Sequence, residues 1–345
     1  MQDTEHLIRD IHENSVIVDA HLDLCMFLRQ ERQKGRRRVI ESDYLDDIRR
    51  GGINVIVSAI FTDETSISGS ALSQACDQIA CLYAEMEESP GLFRLCTTYE
   101  QVTDTVKSGM LAILLSFEGA EPLGTNPGLL PLFHKLGVRG LGLAHARRNL
   151  ACDGARYTET SRSAGCGLTE LGAEFIRTAD ELGMLIDVTH LNDAGTEDVL
   201  SIARGPVIAS HSNCRALNPT MRNLPDSLIS AIANTGGVIG INGCSAIVGD
   251  TEDTANLSVM ADHVDHLVQV GGIDHVGLGF DLAERIMPDS SIVVNGRAVR
   301  VYDVVGGYSA LPALTGELLR RGYTGEMIDK LYGGNFLRVY REVLR

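Results

Sequence analysis

Two histidines end neighbouring apolar runs near the middle of the chain. His190 closes the run Met-Leu-Ile-Asp-Val-Thr-His, and His211 closes the run Pro-Val-Ile-Ala-Ser-His. Such short aliphatic and β-branched runs are typical of strands that are buried on both faces of a parallel sheet. Because α/β proteins place ligands and catalysts at the C-terminal tips of these strands, we expect both imidazoles to reach one point above the sheet. The spacing suggests that this point binds a metal ion.

Other apolar runs also end in a residue that can bind a metal or move a proton. The full set is His21, Asp23, Glu118, His145, His190, His211 and Asp281. A single histidine after a strand is more often hydrogen-bonded and structural, and a single glutamate is usually solvated. Seven such groups around one rim are different, because buried carboxylates need a compensating positive charge. The set therefore favours a metal centre over purely structural roles.

Eight apolar runs supply the strands of the predicted fold. They cover residues 15–21, 53–61, 111–117, 138–144, 184–190, 206–211, 237–242 and 275–280. Helical patterns follow nearly every run, and this alternation is typical of an α/β protein with a parallel sheet. The count of eight predicts a (β/α)8 TIM barrel of the metal-dependent hydrolase type. A doubly wound open sheet is the alternative, although the glycines at 236–237 and 277–279 do not continue as Gly-x-Gly-x-x-Gly.

The length of 345 residues fits a single barrel domain over residues 1–345, although length alone would also allow two domains. Asn295-Gly296 lies between two β-prone runs and predicts a β-hairpin insertion near residues 292–301. Three helical segments, at about 309–321, 324–332 and 335–344, are expected to complete the chain.

The composition is that of a globular protein, with 44% hydrophobic and 22% charged residues. A formal net charge of -16 argues against nucleic acid or an anionic membrane as a partner. We find no run of about 20 apolar residues and no signal-peptide pattern, so we expect a cytoplasmic protein. The eight cysteines should be mostly free and buried in such a reducing compartment, with Cys152 and Cys166 as the one pair that could bond.

Five of the candidate residues suit a pair of metal ions. His21 and Asp23 are alternate residues of an extended segment and can reach one ion, while His190 and His211 form a second pair. Glu118 can bridge the pairs with its two oxygens. Five ligands exceed what one tetrahedral zinc with an open position needs, but they suit two ions about 3.5–4 Å apart. Histidine and carboxylate ligands favour Zn²⁺, and manganese or cobalt remain open.

Two ions at this position would lower the pKa of a shared water and supply hydroxide to attack a carbonyl. Asp281 is not needed as a ligand and could accept and pass on a proton. Arg222 follows the second histidine run and offers a planar fork for a carboxylate, although an exposed loop residue is its alternative interpretation.

Short motifs around these residues keep a recognisable order along nearly the whole chain. They are Val-Asp-Ala-His-Leu-Asp at 18–23, Ser-Phe-Glu-Gly at 116–119, Leu-Gly-Leu-Ala-His at 141–145, Ile-Asp-Val-Thr-His at 186–190, Pro-Val-Ile-Ala-Ser-His-Ser at 206–212, Met-Arg-Asn-Leu-Pro-Asp at 221–226, His-Val-Gly-Leu-Gly-Phe-Asp at 275–281 and Gly-Asn-Phe-Leu-Arg-Val at 334–339. Together they resemble the membrane (renal-type) dipeptidase family, peptidase family M19 of the amidohydrolase superfamily. Each motif alone is weak, but the combination is highly specific.

The resemblance implies a dinuclear zinc site with the same five ligands. His21 and Asp23 would bind one Zn²⁺, His190 and His211 the other, and Glu118 would bridge both ions and so take part in catalysis. Many relatives in the superfamily bridge their metals with a carboxylated lysine instead. No lysine follows a predicted strand here, which agrees with a glutamate bridge.

The resemblance also implies roles in substrate binding and proton transfer. His145 would contact the substrate or its tetrahedral intermediate, Arg222 would hold the substrate carboxylate, and Asp281 would handle the proton. The family hydrolyses dipeptides, often with a D-residue at the C-terminal position, and its members are commonly homodimers. The expected partner is therefore a small dipeptide or a related amide, with a homodimer as the implied assembly.

Three segments near the expected pocket rim depart from the family pattern. A second acid, Glu121, follows the bridging glutamate; Asp281-Leu-Ala-Glu284 replaces Asp-Phe-Asp-Gly; and Asn242-Gly-Cys-Ser lacks the usual bulky residues. These changes motivate an alternative function, a specialised amidohydrolase acting on a modified dipeptide or an N-acyl amino acid. A non-catalytic binding protein on the same barrel is a third hypothesis, and the complete ligand set argues against it.

Overall fold

A closed ring of parallel strands forms the centre of the computed structural model, which describes residues 2–62, 69–157, 166–251, 253–294 and 296–345. The strands of this sheet are β1 Ile17–Leu22, β2 Ile53–Phe61, β3 Phe93–Leu95, β4 Leu111–Glu118, β5 Val138–Gly142, β6 Leu185–Asp187, β7 Val207–Ile208, β8 Ile239–Ile241 and β9 Val276–Leu278. Eight of them follow the order β7-β6-β5-β4-β2-β1-β9-β8, and β3 pairs with β4 outside this path. A parallel bridge between Ala209 and Ile239 joins the two ends. The predicted α/β (β/α)8 barrel is confirmed, and the open doubly wound sheet is wrong.

Helices surround the barrel and supply most of the crossovers between its parallel strands. Their bounds are α1 Gln2–Asn14, α2 Leu24–Gln33, α3 Leu45–Gly51, α4 Ala71–Glu88, α5 Tyr99–Lys107, α6 Leu129–Lys135, α7 Glu170–Leu182, α8 Asp193–Ile202, α9 Asp226–Asn234, α10 Ser245–Val248, α11 Leu257–Gly271, α12 Leu311–Arg320, α13 Gly325–Asp329 and α14 Asn335–Val343. Several begin at a side chain that accepts a backbone N–H, as Thr98 does for α5 and Asn192 for α8. Such caps satisfy amides that have no partner inside the helix.

Three elements differ from the sequence prediction, and two of them are very short. α2 starts directly after the polar tip of β1, β3 has three residues, and α10 has four. Elements of three or four residues do not repeat a hydrophobic period, so pattern analysis cannot detect them. They leave the predicted ring of eight strands unchanged, because β3 lies outside it.

The alternation along β4 explains why a charged residue ends up inside the barrel. Ala112 and Leu114 belong to the interior cluster, whereas Ile113 and Leu115 pack outward toward the helices. Because side chains alternate along a strand, Glu118 continues the inward phase of Ala112 and Leu114. The interior cluster also contains Phe336, Val339 and Tyr340 of α14. α14 therefore packs into the barrel interior, while the polar side chains gather at the strand tips.

A β-hairpin lies beside the barrel mouth, as predicted near residues 292–301. β10 Ser291–Val294 and β11 Arg297–Arg300 pair antiparallel, and Asn295 of the predicted turn lies outside the described residues. Gly296 has a φ of 78°, which suits such a turn. Val294 and Val299 of the hairpin pack against Cys244, Ile247 and Ala283. The organisation of residues 1–345 as a single domain stays a prediction.

All eight cysteines lie in the described ranges and are free, so Cys152 and Cys166 do not form a disulfide. Five of them are buried, as expected. None of the helices in the described part of the chain has the length and apolar character that crossing a bilayer requires. The cytoplasmic location stays a prediction.

Gly240 provides a test of the barrel packing, because its backbone lies very close to that of Ser210. A Cβ at Gly240 would lie 2.0 Å from the carbonyl oxygen of Ser210. Gly240→Ala should therefore displace β8 and lower the free energy of unfolding by about 1–3 kcal/mol, measured by urea denaturation. Gly205→Ala is the control, because a Cβ there meets nothing within 4 Å. Its stability should stay within about 0.5 kcal/mol of wild type, and equal stability of both variants would contradict the packing.

Candidate metal centre

Three imidazoles converge on one carboxylate oxygen at the mouth of the barrel. The Nε2 atoms of His21, His190 and His211 lie 3.6, 2.9 and 3.6 Å from Oε1 of Glu118. The Nε2 atoms of His190 and His211 are 3.0 Å apart. All four residues are buried. Four segments that lie far apart in sequence therefore present nitrogen and oxygen donors to one small volume.

The potential ligand atoms form three overlapping groups. In each group, one donor atom per residue lies within 4.8 Å of the others; the groups are His21–Glu118–His211, Glu118–His145–His190 and His21–Asp23–Asp281. The five predicted ligands are thus brought together. His145 and Asp281, which the sequence assigned to substrate binding and catalysis, lie in the same groups. The division of this cluster into ligands and catalytic residues stays a prediction.

Asp23 reaches the cluster from just beyond the end of β1. His21 belongs to β1, but Asp23 lies beyond the strand with φ -72° and ψ 40°, which is not an extended conformation. The intervening residue, Leu22, still belongs to β1, so alternation can direct both side chains the same way. Asp23 occupies the position before α2, and its carboxylate lies in one group with His21 and Asp281.

Two residues of the cluster have left-handed backbone conformations that are unfavourable for side chains with a Cβ. His190 has a φ of 69° and Asp281 a φ of 55°. Non-glycine residues in this region are uncommon and persist when the surrounding structure holds them there. The backbone is thus forced into a turn directly at both positions, and this turn aims the side chain into the mouth rather than along the strand.

The histidines of the cluster are held in their neutral form. Burial, together with the positive charge of Arg222, lowers the pKa of His21 to about 3 and that of His145 to about 3. Burial also lowers the pKa values of His190 and His211 far below the usual value. A neutral imidazole has a free nitrogen lone pair, which is the form that binds a metal ion.

The acids of the cluster show the opposite shift. Burial raises the pKa of Asp23 to about 6, and burial with the nearby charge of Asp23 raises the pKa of Asp281 to about 8. The pKa of Glu118 is raised well above its usual value by burial and by the charges of Asp23 and Asp281. A bound divalent cation would reverse these shifts, because it attracts the charged carboxylates.

Buried nitrogen and oxygen atoms that lack a hydrogen-bond partner test whether the cluster fits a metal ion. His21 Nε2, Asp23 Oδ1 and His190 Nδ1 are buried and have no hydrogen-bond partner among the described residues. Buried polar atoms are costly to leave unpaired, and a cation would satisfy the first two directly. The set of neutral imidazoles and carboxylates is also the one that zinc prefers. The residues present therefore fit a metal centre.

Arg222 lies inside the protein beside the cluster, and its alternative interpretation as an exposed loop residue is wrong. Its exposed fraction is 2%. Nη2 donates to the carbonyl oxygen of His211 at 3.1 Å, and Nη1 donates to Ser212 Oγ at 3.4 Å. Its Nε is buried and has no hydrogen-bond partner in the described residues. The guanidinium is held close to a predicted ligand and retains a free donor.

Several residues of the site were missed by the sequence analysis. Asp187 and Asp19 accept backbone N–H groups beside the histidine tips, and Asn242 Nδ2 donates to Asp281 Oδ2 at 3.1 Å. The two aspartates stand shortly before a predicted ligand, in Asp-Ala-His and Asp-Val-Thr-His, which was the available signal. Tyr157 packs against the apolar cluster that contains Val294 and Val299 of the hairpin. Burial raises the pKa of its phenol, while the charge of Arg222 lowers this pKa and that of Asp281 raises it.

The second acid after the predicted bridge is already paired. Glu121 Oε1 lies 3.1 Å from Arg147 Nη2, and both side chains are largely buried. Arg147 also donates to the carbonyl oxygen of Thr62 at 3.2 Å. The pair lines a cavity of about 630 Å³ with Leu123, Leu150 and other mostly apolar residues. The departure from the family pattern at Glu121 thus adds a neutralised ion pair to the rim.

Comparison with known proteins identifies the family. The profile of the membrane dipeptidase family, peptidase family M19, matches residues 5–345. The chain belongs to the membrane dipeptidase family. It is 31% identical to dipeptidase tcpJ of Claviceps purpurea over 278 residues, 81% of this chain and 62% of that protein. It is 26% identical to dipeptidase ataJ of Aspergillus terreus over 360 residues, 95% of this chain and 84% of that protein.

A solved structure of an M19 dipeptidase, described as a metallopeptidase, has the same fold. It superposes with a TM-score of 0.83 at 25% identity, covering 96% of this chain and 99% of that one. The resemblance seen in the motifs is therefore confirmed. The prediction of a metal-dependent dipeptidase is confirmed at the level of the family. The chain spans less than two thirds of the length of tcpJ.

Loss of one imidazole tests the metal centre directly. His211→Ala should weaken zinc binding by more than about 100-fold, because removing a ligand costs more than removing a residue behind one. Chelator competition followed by metal analysis of the purified protein measures this. His6→Ala, at an exposed histidine of α1, is the control and should bind zinc like wild type. Equal zinc affinity of the two variants would show that His211 binds no metal.

Proposed function

We propose that this member of the membrane dipeptidase family hydrolyses the amide bond of dipeptides with two zinc ions per chain. His21 and Asp23 hold one ion, His190 and His211 the other, and Glu118 bridges them. The observation that carries this proposal is the approach of three imidazole Nε2 atoms to a single oxygen of Glu118, at 2.9–3.6 Å. Names of the relatives support a dipeptide substrate.

The bound ions supply a water of lowered pKa and polarise the carbonyl of the scissile amide. The chain itself supplies orientation and proton transfer. Ser210 Oγ lies 2.8 Å from His211 Nδ1, so the hydroxyl fixes the ring with Nε2 toward Glu118. Fixed rings keep the donor atoms in place before the substrate arrives, which lowers the cost of organising the site.

Asp281 is the residue that accepts the proton and passes it on. Asn242 holds Oδ2 of Asp281, while Oδ1 faces the cluster at 3.9 Å from His21 Nε2. One oxygen is thus fixed and the other is directed at the reacting groups, as a general base requires. His145 lies beside His190 in the cluster. Its ring centroid is 4.7 Å from that of Phe61 and 4.1 Å from that of His190. There it contacts the substrate or its tetrahedral intermediate.

Asp281→Asn separates the proton-transfer role from metal binding. The amide keeps the shape and can still accept one hydrogen bond, but it cannot take up the proton. The variant should retain two zinc ions and lose about 100-fold or more in kcat for L-Ala-D-Ala. Glu284→Gln, three residues further along, is the control and should keep wild-type kcat. Loss of zinc from Asp281→Asn would instead assign this residue to the ligands.

Arg222 binds the carboxylate of the substrate. The guanidinium is buried beside the cluster and offers a free Nε donor, which suits an anionic group in a water-poor site. Arg222→Ala should raise KM for dipeptides by about 10- to 100-fold, the range of one hydrogen bond to a charged group. Arg222→Lys keeps the charge without the fork and should recover part of this loss. A C-terminally amidated dipeptide should be unaffected, and an equal effect on it would contradict the role.

A second substrate class, N-acyl amino acids and modified dipeptides, is favoured by one observation. The carboxylate of Glu121 lies 3.1 Å from the Arg147 guanidinium, so its charge is balanced within the protein and not by the amino group of a dipeptide. A substrate without an amino group would lose nothing at this position. Kinetic comparison of L-L dipeptides, L-D dipeptides and their N-acyl counterparts distinguishes the classes. Faster hydrolysis of the acyl compounds would favour the specialised amidohydrolase.

We also propose the domain organisation, the location and the assembly of the protein. Residues 1–345 act as one barrel domain in the cytoplasm, assembled as a homodimer, with no nucleic-acid or membrane partner. The net charge of -16 supports the absence of such anionic partners. The mass of the purified protein in solution tests the dimer.

A further inference from the structure

The half of the barrel that carries His190, His211 and Asp281 has few ladder hydrogen bonds. β6, β7, β8 and β9 have three, two, three and three residues, whereas β2 and β4 have nine and eight. His190, His211 and Asp281 follow the short strands. Because ladder bonds fix the distance between adjacent strands, something else must fix the spacing of these tips.

Asp187 supplies such a link between two histidine segments. It ends β6, is buried, and its Oδ1 accepts the backbone N–H of Thr189 at 2.9 Å and of Ser210 at 3.0 Å. These two amides directly precede His190 and His211. One oxygen atom therefore joins the backbones of two adjacent strand tips, each one residue before a predicted ligand.

Asp19 makes the same type of link on the other side of the mouth. It lies in β1 and is fully buried. Its Oδ1 accepts the backbone N–H of Phe280 at 2.9 Å and of His21 at 3.3 Å, and its Oδ2 accepts the hydroxyl of Tyr308 at 2.6 Å. Phe280 directly precedes Asp281. The recurrence of one arrangement at two places argues for a shared purpose.

We propose that Asp187 and Asp19 are positioning residues, two buried carboxylate clamps that set the distances between neighbouring ligand-bearing tips of the metal centre. The proposal rests on the proposed function for the presence of zinc. A carboxylate oxygen has two lone pairs, so Oδ1 can accept amides from two different segments. Substitution of a residue that holds a metal ligand in place typically lowers metal affinity by about 10- to 100-fold.

Substitution of Asp187 tests the first clamp through zinc affinity, measured by chelator competition. Asp187→Ala removes the acceptor and should weaken zinc binding by about 10- to 100-fold. Asp187→Asn retains a carbonyl oxygen that can accept both amides, so it should recover most of the affinity. At saturating zinc, KM for L-Ala-D-Ala should match wild type in both. Wild-type zinc affinity of Asp187→Ala would overturn the clamp, as would an equal loss in both variants.

Asp47 offers a matched control for the loss of a carboxylate that holds two amides. Its oxygens accept the backbone N–H groups of Tyr308 and Ser309, each at 3.0 Å, and neither amide adjoins a ligand. Asp47→Ala should lower stability but leave zinc affinity unchanged. A loss of zinc affinity in Asp47→Ala equal to that of Asp187→Ala would show that destabilisation alone explains the effect.

Hydrogen exchange of the metal-free wild-type chain provides a test that does not depend on a folded variant. The amides of Thr189 and Ser210 should already be protected before zinc is added. Exchange at the unprotected rate until zinc binds would overturn the clamp, because the metal would then organise the tips. Wild-type protein that binds no zinc contradicts the proposed function, whereas protection of these two amides in the same protein still supports the clamp.

Discussion

The site depends on the cost of burying donors that lack a compensating charge. Glu118 lies among three imidazoles and near two further acids, and burial together with the charges of Asp23 and Asp281 raises its pKa well above the usual value. The histidines are neutral for the same reason. His21 Nε2 and Asp23 Oδ1 are buried without a hydrogen-bond partner in the part of the chain that the structure describes, so the protein gains stability when a cation binds them. Metal binding and the folding of the barrel mouth are therefore linked.

This linkage explains the uneven construction of the barrel. β2 and β4 are long and pair over seven residues, ending at Phe61 and Glu118, so the ladder itself fixes where Glu118 lies. The short strands opposite pair over two or three residues. There the backbone must leave the sheet early, because His190 and Asp281 turn through left-handed conformations to face the mouth. Buried side chains such as Asp187 replace the ladder bonds that these turns remove.

The predictable part of the structure is the part that is local in sequence. An apolar run followed by a histidine or an acid locates a strand tip, because the run and the tip depend on one segment. That logic found Glu118, His190 and His211 and the ring of strands. It failed for the burial of Arg222, which depends on its contact with the His211 carbonyl. Contacts between remote segments have no signature in either segment alone.

Under the proposed function, substrate choice would depend on contacts of this second kind. Tyr157 comes from the loop after β5, yet it packs against Cys244 beyond β8 and against the hairpin, three segments that are separate in sequence. Glu121 and Arg147 likewise meet from different loops. The donors at the strand tips can stay the same while these contacts between loops change, because the two sets involve different residues. Under the proposed function, departures from the family pattern in these loops would alter which amide is bound without altering how it is cleaved.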